Sequence, residues 1–380
     1  MKILYDYQIF SLLKFGGISR YFAELVTGIN NDKQFSSVLG VRQSMNVNYQ
    51  KIIRKNNSYS LPGTAEMFVR KSIGKLLPNT KEPVRNKKAS IDLLRAGDYD
   101  IFHPTYYDPY FMEYCSGKPY VVTVYDMIHE LFPEYFSSPM REELIEQKKV
   151  LINNAAHVIA ISEQTKKDIL SIHSIDPDRI TSIHLSSSFG RAEEIRSAEY
   201  KLPERYILFV GTRDIYKNFT FFLESMKNIL LSEVNLFLIC AGPPFTEFEN
   251  HLISTHGLSR QVMQRFPDDD ELKAIYKKAL CLVYPTKYEG FGLPILEAFA
   301  CGCPVVTSTT ASLPEVGGDA VLYCSPTNAD EIQQTVHQLI GDSELRKTLR
   351  RKGYDRLTLF SWEKTVQQTK AVYTKVLSQR

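Results

Sequence analysis

Two carboxylates eight residues apart bracket a glycine-rich helix start in Glu289-Gly-Phe-Gly-Leu-Pro-Ile-Leu-Glu297, and the chain runs on into Ala-Phe-Ala-Cys301-Gly-Cys-Pro304. Gly290 and Gly292 let the backbone approach a ligand with no Cβ in the way. Pro294 suits the first position of a helix, whose leading N–H groups are unpaired and carry the positive end of its dipole. An anion belongs at such a place. Glu289 precedes it and Glu297 lies about one turn inside the helix, so both can accept hydroxyl hydrogen bonds from a polyol held against the loop. The chemistry implied is that of an anionic sugar ligand, although the pattern alone also fits an ordinary strand-to-helix turn.

Local rules supply the elements around this loop. Cys281 to Tyr284 reads as a buried strand, the helix runs to about Cys301 and stops at Gly302, and Val305 to Thr307 reads as the next strand. Similar apolar runs recur at Lys2 to Tyr5, Tyr99 to His103, Tyr120 to Tyr125, His157 to Ile161, Tyr206 to Val210 and Asn235 to Cys240, with helical patterns between them. That alternation predicts an α/β protein with parallel sheets. Ser186 to Gly190 and the charged stretch up to Pro203 interrupt it, which puts a domain boundary near residue 198.

Other groups sit where open parallel sheets bind ligands, just past the carboxyl ends of strands. Gly211 ends one strand, and Arg213 and Lys217 follow before an apolar helical pattern from Phe219 to Leu231; two cations there would neutralise a diphosphate. Gly16 and Gly17 follow the first strand and form a second close-backbone loop. His103, Asp126 and His129 each come past a strand in the same region and are candidates for hydrogen bonding or general-base work, with core and turn roles equally compatible. Asp268-Asp-Asp270 matches the Asp-x-Asp pattern that can hold Mg²⁺ on a diphosphate, but it immediately precedes a helical stretch, where such acids cap the helix; capping is the expectation.

The 380 residues, 43% of them hydrophobic, are enough for two cores. The first residues run directly into a strand pattern and no apolar run approaches a membrane span, so the expected compartment is the cytoplasm. Six cysteines without paired spacing suggest packing, not disulfides or zinc. The net charge of +3 is mild, yet eight Lys and Arg residues stand between Arg70 and Arg95 against Glu82 and Asp92 alone. Interleaved with Met67, Phe68, Val69, Ile73, Leu76 and Leu77, residues 67–95 fit a helix on an anionic membrane surface, or simply a solvated face. No nucleic-acid motif accompanies them.

Glu289 to Val306, with its Glu-x7-Glu spacing, Gly-Phe-Gly-Leu-Pro core and Cys-Gly-x-Pro-Val tail, resembles the signature of the retaining GT-B glycosyltransferases, family four in particular. Val210-Gly-Thr-Arg213 with Lys217-Asn218 resembles that family's diphosphate loop, Gly16-Gly17-Ile its N-terminal glycine loop, and Ser162 its usual serine after Ile161. The resemblance implies a GT-B fold: two Rossmann-like domains, residues 1–198 and 199–360, facing across a cleft, with the helix of 361–380 packing back on the first. It also implies a nucleotide-sugar donor, a GDP- or UDP-sugar such as GDP-mannose, and a glycan or polyprenyl-linked glycan acceptor used in surface polysaccharide or lipopolysaccharide synthesis at the inner face of the membrane. Glu297 would bind ribose, Glu289 the hexose, the backbone around Gly290, Phe291, Gly292, Leu293 and Pro294 the sugar and phosphate, Arg213 and Lys217 the leaving diphosphate, and Phe266 would flank the base; no metal or other cofactor is required. Many relatives carry His-Asp where this chain has Tyr125-Asp126, leaving His129 or His103 to supply an imidazole. A phosphorylase or epimerase of the same fold, or a non-catalytic scaffold, are the competing readings.

Overall fold

Short runs rich in Val, Ile and Leu are buried on both faces and build the interiors of two parallel sheets, as all-parallel packing requires. The structure, a computed structural model, describes residues 1–55, 82–115, 117–136, 139–190 and 200–379. In the first half the strands are β1 (Lys2–Tyr5), β2 (Ser36–Leu39), β3 (Ile101–His103), β4 (Val121–Val124), β5 (His157–Ala160) and β6 (Ile180–Ser182). They run in the order β2-β1-β3 and β4-β5-β6, and a parallel bridge between Phe102 and Tyr120 joins the two triplets. The second half supplies β7 (Tyr206–Val210), β8 (Phe237–Ala241), β9 (Val262–Arg265), β10 (Cys281–Tyr284), β11 (Val305–Ser308) and β12 (Leu322–Cys324), in the order β12-β11-β10-β7-β8-β9. This is the α/β architecture of two Rossmann-like units. The boundary expected near residue 198 falls within 191–199, outside the described residues.

Helix starts follow capping chemistry. The Ser162 hydroxyl accepts from the Thr165 amide to open the helix Glu163–Ile172. Asp268 accepts from the amides of Asp270 and Glu271 and opens Asp269–Lys278, the capping role expected of the acidic triplet. At the carboxyl end of β1 the buried Asp6 gathers hydrogen bonds from the Thr105 amide (2.9 Å) and the Gln8 side chain (2.7 Å), tying β1 to the loop after β3. Six free cysteines are all buried.

The final helix, Trp362–Ser378, capped by Ser361, lies along the helix Gly17–Asn30 of the first half. Its Tyr373 reaches the core there, with its hydroxyl 2.9 Å from that of Tyr5 and 2.6 Å from His103 Nδ1. His103 Nε2 meets Thr123 Oγ1 at 2.9 Å, and the ring is 0% exposed. The expectation that His103 lines the site is therefore corrected: it is a core residue whose two nitrogens are both satisfied inside the first domain. Of the basic segment 67–95, residues 67–81 lie outside the described residues. The helix Glu82–Ala96 covers the rest and buries Asn86, Ala89, Ser90 and Leu94 while Arg85, Lys88 and Arg95 stay exposed. Among the described residues no helix is long and apolar enough to cross a membrane.

Burial lowers the His103 pKa from 6.5 to about 3, so the folded protein holds it neutral where the unfolded chain binds a proton. The unfolded state then carries more protons between these values, and stability rises with pH across that window. Melting temperature is expected to fall as pH is lowered from about 6.5 towards 4. His103→Gln should fall less steeply; an identical slope in wild type and variant would contradict this.

Candidate functional site

The loop after β10 brings the two acids of the signature to the carboxyl edge of the second sheet. Gly292, at φ 112°, caps the helix Leu293–Ala300, a conformation that only glycine adopts without strain, and Pro294 is the second residue of that helix. Ser312 steadies the loop, its hydroxyl 2.8 Å from the Glu289 carbonyl and 2.7 Å from that of Phe291. Lys217, from the short turn after β7, pairs with Glu289 at 2.7 Å and donates to the Tyr284 hydroxyl at 3.1 Å. Both partners are nearly buried, at 13% and 12% exposure, so this charge pair is little screened.

Glu297 projects from the helix towards the other half of the chain. Its Oε2 accepts from the Tyr276 hydroxyl (3.1 Å), and Arg20 Nη1 stands 3.6 Å from Oε1. Burial pushes the Glu297 carboxyl up to about 7, with Arg20 and Tyr276 pulling in the opposite direction. Arg20 also binds Asp269 at 2.9 Å, and Lys51 joins the same acid at 3.3 Å. These three side chains, from residues 20, 51 and 269, bind the two halves together beside Glu297.

The glycine loop of the first half faces this helix. A Cβ on Gly17 would come 3.1 Å from Leu293 Cδ1, and Phe15 packs edge-on against Phe266 with centroids 5.9 Å apart. Gly16 precedes the helix Gly17–Asn30 as its cap. On the other side of the cleft, a Cβ on Gly290 would sit 1.8 Å from the Tyr125 carbonyl oxygen and 3.0 Å from Asp126 Cβ. Asp126 thus lies against the Glu289 loop, and after burial the charges of Glu289, Asp214 and Asp126 all push the Tyr216 hydroxyl up. Buried Lys148 fixes this wall, donating to the Asp126 carbonyl at 3.0 Å and pairing with Glu130 at 2.9 Å. The His129 ring packs at a tilt against Phe136, with centroids 4.3 Å apart; its Nδ1 is buried without a partner, and burial lowers its pKa. Tyr125, which precedes Asp126, is buried.

Arg213, expected to face a diphosphate, is turned into its own domain. Its Nε binds Glu249 at 2.7 Å, Nη2 donates to the Pro243 (2.8 Å) and Pro244 (2.7 Å) carbonyls, and the side chain is 4% exposed over Phe245. The buried Glu249 needs a cation, and Arg213 supplies it. Gly211, at φ 112°, has open space where its Cβ would stand. The structure therefore assembles Glu289, Lys217, Glu297, Asp126 and the two glycine loops and separates His103 from them, while Arg213 keeps its Nη1 buried without a partner. Reasoning from the sequence did not find Arg20, Tyr276, Ser312 or Lys148. Only Arg20 carried a local signal, one helical turn after Gly17.

Gly290→Ala should be tolerated by the loop itself but not by the opposite domain. Transfer activity expected of this cleft should drop by about a hundredfold, as misplaced reacting groups do. Melting temperature should stay within a few degrees of wild type, and near-normal turnover would show that this contact is not needed.

Known proteins share the sequence and the fold of this chain. The family model "Glycosyl transferases group 1" matches residues 191–356, and "Glycosyltransferase Family 4" matches residues 15–185. The chain is 29% identical over 293 residues to the O-antigen chain mannosyltransferase B of Escherichia coli, covering 73% of this chain and 74% of that protein. It is 27% identical over 271 residues to the serotype-specific mannosyltransferase WbdA of Escherichia coli, covering 66% of this chain but only 33% of that longer protein. In fold it is similar to the Anabaena HepE protein solved with UDP and glucose, with a TM-score of 0.73, 14% identity and coverage of 98% and 99% of the two chains. With one family model matched on each half and the paired acids of the signature at the cleft between them, the chain belongs to the GT-B glycosyltransferases of family four.

Proposed function

We propose that this glycosyltransferase moves a hexose, with retention of anomeric configuration and without a metal, from a nucleotide sugar to a glycan or polyprenyl-linked glycan acceptor in surface polysaccharide synthesis. GDP-mannose is the first donor to test, in view of the mannosyltransferase relatives; a UDP-sugar is the second, in view of the UDP held by HepE. The observation that carries the reading is the 2.7 Å pair between Lys217 and Glu289 at the foot of the Leu293–Ala300 helix. Glu297 takes the ribose hydroxyls, and Glu289 takes a hydroxyl of the hexose. Lys217 and the helix start offset the charge that develops on the departing diphosphate. Arg213, bound to Glu249, acts by holding the turn that carries Lys217. Asp126 faces the same space from the acceptor side, and a donor phosphate oxygen takes the acceptor's proton as the new bond forms on the face the diphosphate leaves. The exposed cations Arg85, Lys88 and Arg95 support a peripheral position on the inner face of the membrane.

A thermal-shift panel of GDP, UDP and their sugars tests the donor. The right nucleotide sugar at about a hundredfold excess over Kd should stabilise the fold by about 2.7 kcal/mol. Glu289→Gln and Lys217→Ala should each lower kcat by about 10²-fold or more; full activity in either sinks the site assignment. A carboxylate that grips ribose must be ionised, and Glu297 titrates near about 7. Donor affinity should therefore rise with pH up to about 7 and level off above it, and Glu297→Gln should flatten that profile.

A further inference from the structure

Tyr288, the residue immediately before Glu289, belongs to the second domain but finds both of its hydrogen-bond partners in the first. Its hydroxyl donates to Asp168 Oδ2 at 2.6 Å and accepts from the Met127 amide at 3.3 Å. Its ring lies 5.2 Å from that of Phe132, also in the first domain. Neighbours on either side are gripped in the same way. Lys287 stands over Tyr135 at 5.6 Å, and the Gly290 carbonyl accepts from Thr165 Oγ1 at 3.2 Å.

Thr165 and Asp168 are three residues apart on the helix Glu163–Ile172, hence on one face of it. The start of that helix is held by the second domain too: Glu315 accepts from the Glu163 amide at 2.8 Å and the Gln164 amide at 3.3 Å. A single helix of the first domain thus contacts the second through its first amides, Thr165 and Asp168. Two of those three contacts are to the residues on either side of Glu289.

We propose that Tyr288 is a positioning residue: its bond to Asp168 and the Met127 amide sets the place of Glu289 relative to Asp126, and does so only when the two domains are closed. The chemistry of the partners favours this over simple packing. Asp168 is 8% exposed and Tyr288 4%, and the second oxygen of Asp168 is taken by Gln164 Nε2 at 2.7 Å. Separation of the domains removes Tyr288 from both a carboxylate oxygen and a backbone N–H, which must then be hydrated. Closure restores these bonds and, through one peptide unit, places Glu289. Met127, whose amide completes the arrangement, follows Asp126 directly. A single hydroxyl therefore references the acids on both walls to each other.

This inference rests on the transferase reading, and the experiment separates the two. Tyr288→Phe keeps the ring against Phe132 and removes only the hydroxyl; Asp168→Leu keeps roughly the shape of its partner and removes the acceptor. With GDP-mannose or UDP-glucose as donor in the full chain, each variant should lose about tenfold in kcat with KM for the donor changed less than about twofold. The double variant should be little worse than Tyr288→Phe alone, because that variant has already lost the Tyr288–Asp168 bond. An unchanged kcat, a rise in KM alone, or multiplying losses would overturn the proposal. Small-angle scattering of the free proteins needs no donor: Tyr288→Phe should have a larger radius of gyration than wild type, and equal radii overturn the link to closure. A wild type inert towards both donors counts against the transferase reading, and the scattering result then decides this one.

Discussion

Residue 290 has no room for a side chain. The Tyr125 carbonyl stands 1.8 Å from where a Cβ would be, and this contact decides how near the two sheets come. The rest of the cleft is arranged around that point of nearest approach. On one side of it Glu289 meets Lys217, and on the other Asp126 is held by Lys148 through its carbonyl. Farther along, Gly17 meets Leu293 and Arg20 spans Asp269 and Glu297. With two of these contacts made at glycines, backbone rather than side chains sets the spacing. That leaves the polar side chains free to act on what lies between.

The charges at the cleft are more deeply buried than stability alone would favour. Lys148–Glu130, Arg213–Glu249 and Lys217–Glu289 are all largely withdrawn from water. Buried ion pairs contribute little net stability, because desolvation offsets their attraction. Their return is geometric: each fixes a loop that follows a strand. Lys148 holds the loop after β4, Arg213 the turn after β7, and Lys217 links that turn to the loop after β10. The protein uses charge to place backbone at the carboxyl ends of its strands.

Most of the architecture was legible because interior strands are continuous apolar runs. The eight runs read from the sequence all form strands, within a few residues at their ends. The four strands that were not read, β2, β6, β9 and β12, are the edges of the two sheets. Edge strands lie partly open, and here they carry Ser36, Ser37, Thr181, Ser182, Gln264 and Arg265, which break the hydrophobic signal. At the site, the glycine loops and the Glu289 and Glu297 pair were legible because backbone geometry demands those residue types locally. His103 was misplaced, and the Arg213–Glu249 pair was missed, for a common reason: the partners, Thr123 and Tyr373 in one case and Glu249 in the other, are distant in sequence, and nothing local shows which way a side chain turns. Arg20 and Asp269, 249 residues apart, are missed on the same account.

The closing helix has a consequence for biosynthesis. The first domain has its sheet by Ser182, yet its core lacks Tyr373, which meets Tyr5 and His103, and the groove beside Gly28 lacks Val366. Those groups are made only after the strands of the second domain. The first core can therefore be completed only after the second domain has been made.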